Sequence, residues 1–389
     1  MAPRLLYVTT VPYTLRAFLF PFARHFRAKG WTVDAAANGL SSAEDCVREF
    51  DHVHDIGWKR SPIAPHNFTS APRQIYDLVK REGYDIVHVT TPNASFVTRY
   101  ALRQLRQRGK PKIIYSVHGF HFHPLGNPAA NRLFAALERL AGRFTDYLVV
   151  TNEEDRQAAL KLGIADASKL RRFHGIGVDT DASFNPDRVS GQEIEHVRQE
   201  FGLAGDRALF VMAAEFNPGK RHCDAVEALA TASGRCDVHL ALTSDGPLLD
   251  QTRLLARRLG VGDRVHFLGF RRDFQALLKA SRAMVLPSIR EGLPRSVMDS
   301  LSLEVPVIGC AIRGTSELLC DGCGLLCPPR DVNALADAMV WMVERPNEAA
   351  EMGRAGRRKM QGAYELRNII RAHEELYAEA LESAVQPPG

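Results

Sequence analysis

The sequence predicts an α/β protein made of two doubly wound parallel-sheet domains. Short apolar runs alternate with longer amphipathic ones along most of the chain. A polar, turn-rich stretch over 175–191 interrupts that alternation, and the pattern then resumes. Repeated strand–helix units imply a parallel sheet with helices on both faces. The chain has 389 residues, and a domain usually takes about 100–200, so two domains are expected. Hydrophobic residues are 45% of the total, enough for two cores.

The first domain reads as strands over 5–8, 32–36, 86–89, 113–117 and 147–150. Helices are expected over 15–29, about 94–108, 131–142 and 157–162. The break carries Asp179, Asp181, Asn185, Pro186 and Asp187, which are turn formers, and the hinge belongs there. Strands of the second domain follow over 209–213, 238–242, 265–268, 284–287 and 305–309. A last long helix over 366–384 lies past the end of that sheet. The expected partition is 1–185, 186–365 and 366–389. Folds of this kind bind ligands at the carboxyl edges of their strands, and the two edges are expected to face a shared cleft.

Composition removes several classes of function. A net charge of +5, spread along the chain, suits phosphate handling or an anionic membrane surface, and no nucleic-acid motif accompanies it. No run of about 18 apolar residues occurs, and no secretory signal precedes the first strand. Seven cysteines, an odd number in a large chain, point to free thiols in a reducing cytoplasm.

Four segments after strands can carry chemistry. Pro287-Ser288-Ile289-Arg290-Glu291-Gly292-Leu293-Pro294-Arg295 leaves a buried strand and opens a helix near Pro294. Free N–H groups there suit an anion, and Gly292 admits a ligand close to the backbone. Glu291 can accept sugar hydroxyls, and Asp299, about two turns on, can accept from a diol. An acidic surface loop and an exposed helical Asp are the alternative reading. Glu215-Phe216-Asn217-Pro218-Gly219-Lys220-Arg221-His222 also runs from strand to helix, and Lys220 with Arg221 can neutralise a diphosphate. Ser244-Asp245-Gly246-Pro247-Leu248 can border a nucleotide, or can simply be a turn.

The fourth, His118-Gly119-Phe120-His121-Phe122-His123, has three imidazoles but no zinc spacing and no nearby acid. His118 is therefore expected to face the cleft while the phenylalanines pack. Cys310, Cys320, Cys323 and Cys327 also lack zinc spacing, so no metal is expected. The first strand ends in Thr9-Thr10-Val11-Pro12-Tyr13-Thr14, without a glycine, and no Walker or dinucleotide fingerprint occurs.

In combination these segments resemble glycosyltransferase family 4, retaining enzymes of the GT-B fold, in its bacterial capsular and exopolysaccharide branch. His88-Val89-Thr90-Thr91-Pro92-Asn93, His118 to Phe122, Phe267-Leu268-Gly269-Phe270-Arg271 and Arg290 to Ser296 carry the resemblance, which spans nearly the whole chain. It implies that Glu291 holds the donor sugar. The family's second Glu, which holds the ribose, is here Asp299, one methylene shorter. Lys220 matches the family's phosphate lysine. Its partner arginine is replaced by Glu215, leaving Arg221 or Arg295 to supply the second cation. Asn217, Asp245, Gly246, Gly269, Phe270, Arg271, Gly292, Leu293 and Arg295 complete the implied donor site. Thr10, Tyr13, His118 and Phe120 form the acceptor side. The last helix is implied to cross back onto the first domain.

The implied reaction moves a sugar, an N-acetylhexosamine or related hexose, from a UDP-sugar to a hydroxyl of a lipid-linked saccharide or other glycoconjugate. It requires no metal or cofactor, with Lys220, Glu291 and His118 central. A nucleotide-sugar 2-epimerase of the same fold and a non-catalytic nucleotide-sugar-binding subunit are the alternatives. The helix over 15–29 carries Phe18, Phe20, Phe22 and Phe26 beside Arg16, Arg24 and Arg27. It either packs on the sheet or touches the inner face of the plasma membrane peripherally.

Overall fold

A computed structural model describes residues 2–58, 65–67, 69–106, 109–203 and 207–383. The chain divides into two compact units, one of residues 1–175 with 369–389 and one of residues 176–368.

The first unit holds a seven-stranded parallel sheet of β1 (Arg4–Val8), β2 (Thr32–Ala37), β3 (Val53–Asp55), β4 (Ile86–Val89), β5 (Lys112–Val117), β6 (Tyr147–Val150) and β7 (Leu170–Arg172). Its order is β3-β2-β1-β4-β5-β6-β7. The second unit holds β8 (Ala208–Ala213), β9 (Val238–Thr243), β10 (Val265–Gly269), β11 (Ala283–Leu286), β12 (Val307–Cys310) and β13 (Gly324–Cys327), ordered β10-β9-β8-β11-β12-β13, again parallel. The central strands are buried along their length, which is why they read as unbroken apolar runs. β3, β7 and β13 escaped the sequence reading because they are short edge strands. Val-His-Asp and Leu-Arg-Arg carry no apolar run, since one flank of an edge strand meets solvent. The helix Ser70–Glu82 was also missed. It buries Ala71, Ile75, Leu78 and Val79, an i, i+4, i+7, i+8 stripe, and stops at Gly83 in the left-handed region.

The helix expected over 15–29 begins earlier, at Pro12, and passes through a π turn at Leu15–Leu19 before continuing as Phe20–Ala28. Pro21 lacks an N–H, and its ring displaces the carbonyl four residues back, so the turn widens there. Its aromatic side chains pack inward. Phe22 and Phe26 are buried, in ring contact with His373 and Tyr377 respectively. Arg16 pairs with Asp45, Arg24 with Glu49 and Arg27 with Asp51. The basic face expected of this helix is thus neutralised by its neighbours. Among the described residues no helix is long and apolar enough to cross a membrane.

The division at 175/176 falls at the start of the 175–191 stretch expected to hold the hinge, ahead of the expected boundary at 185/186. The Val178 N–H donates to the Tyr364 carbonyl at 2.9 Å, and Leu366 N–H to Val178 O at 3.0 Å. The two crossings between units are therefore bound to each other within the second unit. The helix Leu366–Glu382 then returns to the first unit from Ile369 onward. Its Tyr377 hydroxyl lies 3.2 Å from the Tyr7 hydroxyl and 2.5 Å from His88 Nδ1, while His88 Nε2 meets Ser116 Oγ at 2.7 Å. His373 stacks beside His88 and donates from Nδ1 to Ile369 O at 2.8 Å.

Burial pushes the His373 imidazole down to about 4 and His88 well below the ordinary range. Unfolded histidine titrates near ~6.5. Between these values the unfolded chain binds more protons, so this stability is complete above ~6.5 and is lost as pH falls through about 4. Unfolding at pH ~5.5 should take up protons, and His373→Leu should remove about one of them. Denaturation in two buffers of different ionisation enthalpy measures the uptake. An uptake unchanged by the substitution would show that His373 is not buried neutral.

Candidate functional site

In the second unit the sheet grows outward in one direction from β8 to β10 and in the other from β11 to β13. At that reversal the following loops turn to opposite faces and leave a crevice at the carboxyl edge. The two loops flanking it are those that carry Lys220 and Glu291. Ile289 N–H donates to Gly219 O at 3.0 Å. Lys220 Nζ donates to Glu291 Oε1 at 2.6 Å. Glu291 is buried and the Lys220 side chain is 25% exposed, so the pair sits at the mouth of the crevice with one end in water.

The loop after β8 is held from within. Asn217 Oδ1 accepts from Gly219 N–H at 3.0 Å, and Asn217 Nδ2 donates to Glu215 at 3.2 Å. Arg221, at φ 58°, opens the helix His222–Ala232 and turns its guanidinium onto Asp224 at 2.9 Å. His222 stacks on Phe216 at 4.0 Å, and burial pushes its pKa down to about 4, so the ring is neutral near pH 7.

A third loop closes against the first. Phe216 N–H donates to Asp245 O at 2.9 Å, and Leu248 N–H to Phe216 O at 3.0 Å. Gly246 lies against that backbone, where an added Cβ would stand 2.6 Å from Phe216 N. Ser244 N–H donates to Gly269 O at 2.7 Å, which brings the end of β10 to the same edge. Phe270, next in the chain, is 77% exposed. Arg271, expected beside the nucleotide, donates to Glu200 at 2.6 Å and to Asp273 at 2.8 Å.

Pro294 caps the helix Arg295–Ser302. Asp299 is buried and accepts from Arg295 Nε at 2.5 Å. Burial pushes its carboxyl upward, and the adjacent guanidinium opposes that shift. The Arg295 guanidinium also lies 5.5 Å from the Phe184 ring centre. Neither arginine expected to supply the second cation is unengaged, since Arg221 faces Asp224 and Arg295 faces Asp299. Leu293 packs against the core.

The structure adds Arg313 and Gly314, from the loop after β12. Arg313 Nε donates to Glu291 O at 3.0 Å. Gly314, at φ 73°, lies so close to Gly292 that a Cβ would meet its carbonyl oxygen at 1.9 Å. Ser288 Oγ and Thr315 Oγ1, at the ends of the same strand loops, are buried without a hydrogen-bond partner among the described residues. A strand-end Arg-Gly-Thr was readable as a turn, but nothing in the chain said that it lies on Glu291.

In the first unit the sheet reverses between β1 and β4. Thr10 Oγ1 and Thr91 Oγ1, from the loops after those strands, are 2.7 Å apart, and Tyr13 is exposed nearby in the chain. His118 follows β5, its ring 5.8 Å from Phe18, and burial lowers its pKa to about 4. Phe120 is buried and stacked on Phe122 at 4.7 Å, so it packs the core instead of lining the acceptor side.

Residues 18–181 match the family model described as glycosyltransferase family 4, and residues 193–359 that of glycosyl transferases group 1. The chain is 32% identical over 372 residues to the putative glycosyltransferase EpsD of Bacillus subtilis (strain 168), covering 95% of both chains. It belongs to glycosyltransferase family 4. The glycosyltransferase is also 27% identical over 275 residues, 69% of each chain, to the UDP-Gal:alpha-D-GlcNAc-diphosphoundecaprenol alpha-1,3-galactosyltransferase of Escherichia coli. Its fold is GT-B. It matches the crystal structure of Anabaena Alr3699/HepE in complex with UDP and glucose with a TM-score of 0.81 at 18% identity, over 97% of this chain and 100% of that one.

Gly314→Ala tests the packing behind Glu291 in this glycosyltransferase. The methyl group cannot fit beside Gly292, and the positive φ adds strain, so a loss of about 1–3 kcal/mol is expected in urea denaturation. Wild-type stability would mean that the two loops do not touch.

Proposed function

We propose that this glycosyltransferase moves a hexosyl group, an N-acetylhexosamine or a related sugar, from a UDP-sugar to a hydroxyl of a lipid-linked saccharide of the exopolysaccharide kind, with retention at the anomeric carbon. The observation that carries the reading is the Lys220–Glu291 pair at the strand-order reversal, 2.6 Å apart. A cation and a carboxylate side by side match a donor whose diphosphate is anionic and whose sugar presents hydroxyl donors. In the free protein each neutralises the other. A bound donor replaces both partners at once, which avoids leaving a desolvated charge unpaired.

The C1–O bond to the diphosphate breaks with oxocarbenium character. The acceptor oxygen bonds to C1 on the same face, and its proton passes to the departing phosphate oxygen. Lys220 stabilises the charge that builds on that oxygen. Glu291 fixes the sugar, and the neutral His118 of the first unit can orient a hydroxyl on the acceptor side. The UDP ligand of the Anabaena neighbour and the diphosphoundecaprenol-linked acceptor named for the Escherichia coli relative support the donor and acceptor classes. Peripheral attachment to the cytoplasmic face of the membrane belongs to the same reading.

Glu291→Ala should lower turnover roughly 10²-fold, the scale of about 3 kcal/mol in a charge-assisted contact, with the fold retained by circular dichroism. Steady-state transfer measured with the UDP-sugar at saturation decides it, and near-normal turnover would remove Glu291 from the reaction. No metal is part of the proposal, so transfer should persist in EDTA. A loss of more than about tenfold that magnesium or manganese restores would replace Lys220 with a metal as the main charge stabiliser.

A further inference from the structure

The helix Pro128–Gly142 in the first unit turns an apolar line outward. Ala129, Leu133, Ala136 and Leu140 recur at i, i+4, i+7 and i+11, which is a single helical face. That face is exposed, with Leu133 at 59% and Leu140 at 41%. Leu125, in the loop before the helix, is 47% exposed. Arg132, Arg139 and Arg143 run along the same side, all exposed, and none forms an ion pair among the described residues. The arginines of the Phe20–Ala28 helix, by contrast, are all paired with acids.

The outward face is fixed by the fold. Glu138, the only acid in the helix, lies on its opposite side and is held by the fully buried Arg99 at 2.8 Å. Asn127 caps the first turn, and Asn131 binds the His123 carbonyl at 2.8 Å. The patch continues past the C-terminal end of the helix. Tyr100 meets Phe144 edge-on at 6.1 Å, and the Arg103 guanidinium lies 4.1 Å from the Tyr100 ring centre.

We propose that this face seats on an anionic lipid bilayer. The inference rests on the lipid-linked acceptor proposed above. The loop from His118 to Leu125 joins the carboxyl edge of β5 to this helix, so the surface begins where the acceptor side of the unit ends. Leucines that enter the headgroup boundary beside arginines that meet lipid phosphates are what an interfacial helix requires. A second copy of the chain fits poorly, because a two-fold contact sets the patch against itself and its arginines against one another.

Full-length protein is spun with vesicles of phosphatidylcholine alone or with about a third phosphatidylglycerol. Wild type should bind only the anionic vesicles, and less as salt rises and the Debye length shortens. The triple variant Arg132→Glu, Arg139→Glu, Arg143→Glu should bind at least about tenfold more weakly. Leu133→Ser with Leu140→Ser should abolish the salt-resistant remainder. Both variants should transfer sugar to a soluble short-chain acceptor at the wild-type rate. Wild type that ignores anionic vesicles, or a triple variant that binds like wild type, overturns the assignment. A dimer that the serine variant splits also overturns it and gives the face to a second copy. Because sedimentation needs no transfer, vesicle binding with no activity on any lipid-linked saccharide would sink the proposed acceptor and leave this surface standing.

Discussion

A parallel sheet joined by right-handed crossovers can cover both of its faces with helices only if it reverses its direction of growth, and here each unit reverses beside its first strand. That constraint brings together loops that are distant in the chain. Lys220 and Glu291 are 71 residues apart, yet they meet because β8 and β11 are neighbours. Thr10 and Thr91 meet in the same way between β1 and β4. The crevice is a consequence of topology, and the residue types at its rim give it chemistry.

Close backbone packing keeps that rim in place. Gly246 lies on Phe216 and Gly314 lies on Gly292, so the loops after β8, β9, β11 and β12 are linked edge to edge. Preorganisation of this kind lets a charge act without the loop having to reorder when the ligand arrives. The cations around it divide into two groups. Arg221 and Arg295 hold acids within a few residues, and Arg271 holds both Asp273 and the distant Glu200. Lys220 reaches across the crevice to a residue from another strand loop. An ion pair made across a binding crevice can be exchanged for a ligand that carries both charges' partners.

The first unit solves a different problem, that of closing its core with a helix from the far end of the chain. Tyr377 and His373 fill the space beside Tyr7, His88 and Phe22, and the hydroxyl–imidazole chain satisfies their polar atoms. Burial keeps the rings neutral, which makes this junction sensitive to acid. The same unit leaves one helix face apolar and cationic although the rest of that helix is firmly anchored, an arrangement that a free monomer in water gains nothing from.

Alternation of apolar runs was enough to determine the α/β class, the central strands, the strand-end loops that carry Lys220 and Glu291, and the following helix that carries Asp299. The motif residues also identified the family. These features were legible because burial on both faces forces a continuous apolar strand, and because a loop must follow it. The short edge strands β3 and β7 were not legible, since Val-His-Asp and Leu-Arg-Arg hold no apolar run, whereas the edge strand β10 was legible from Val265, Phe267 and Leu268. The partners of the charged residues were not legible either. Arg271 and Arg295 look alike as candidate ligand cations, and only the packing of Glu200, Asp273 and Asp299 around them shows that they are engaged. Nor could the chain by itself tell the helix that hides its aromatics from the one that exposes its leucines. Both are amphipathic with arginines, and which face turns outward depends on neighbours brought together by strand order, not by sequence distance.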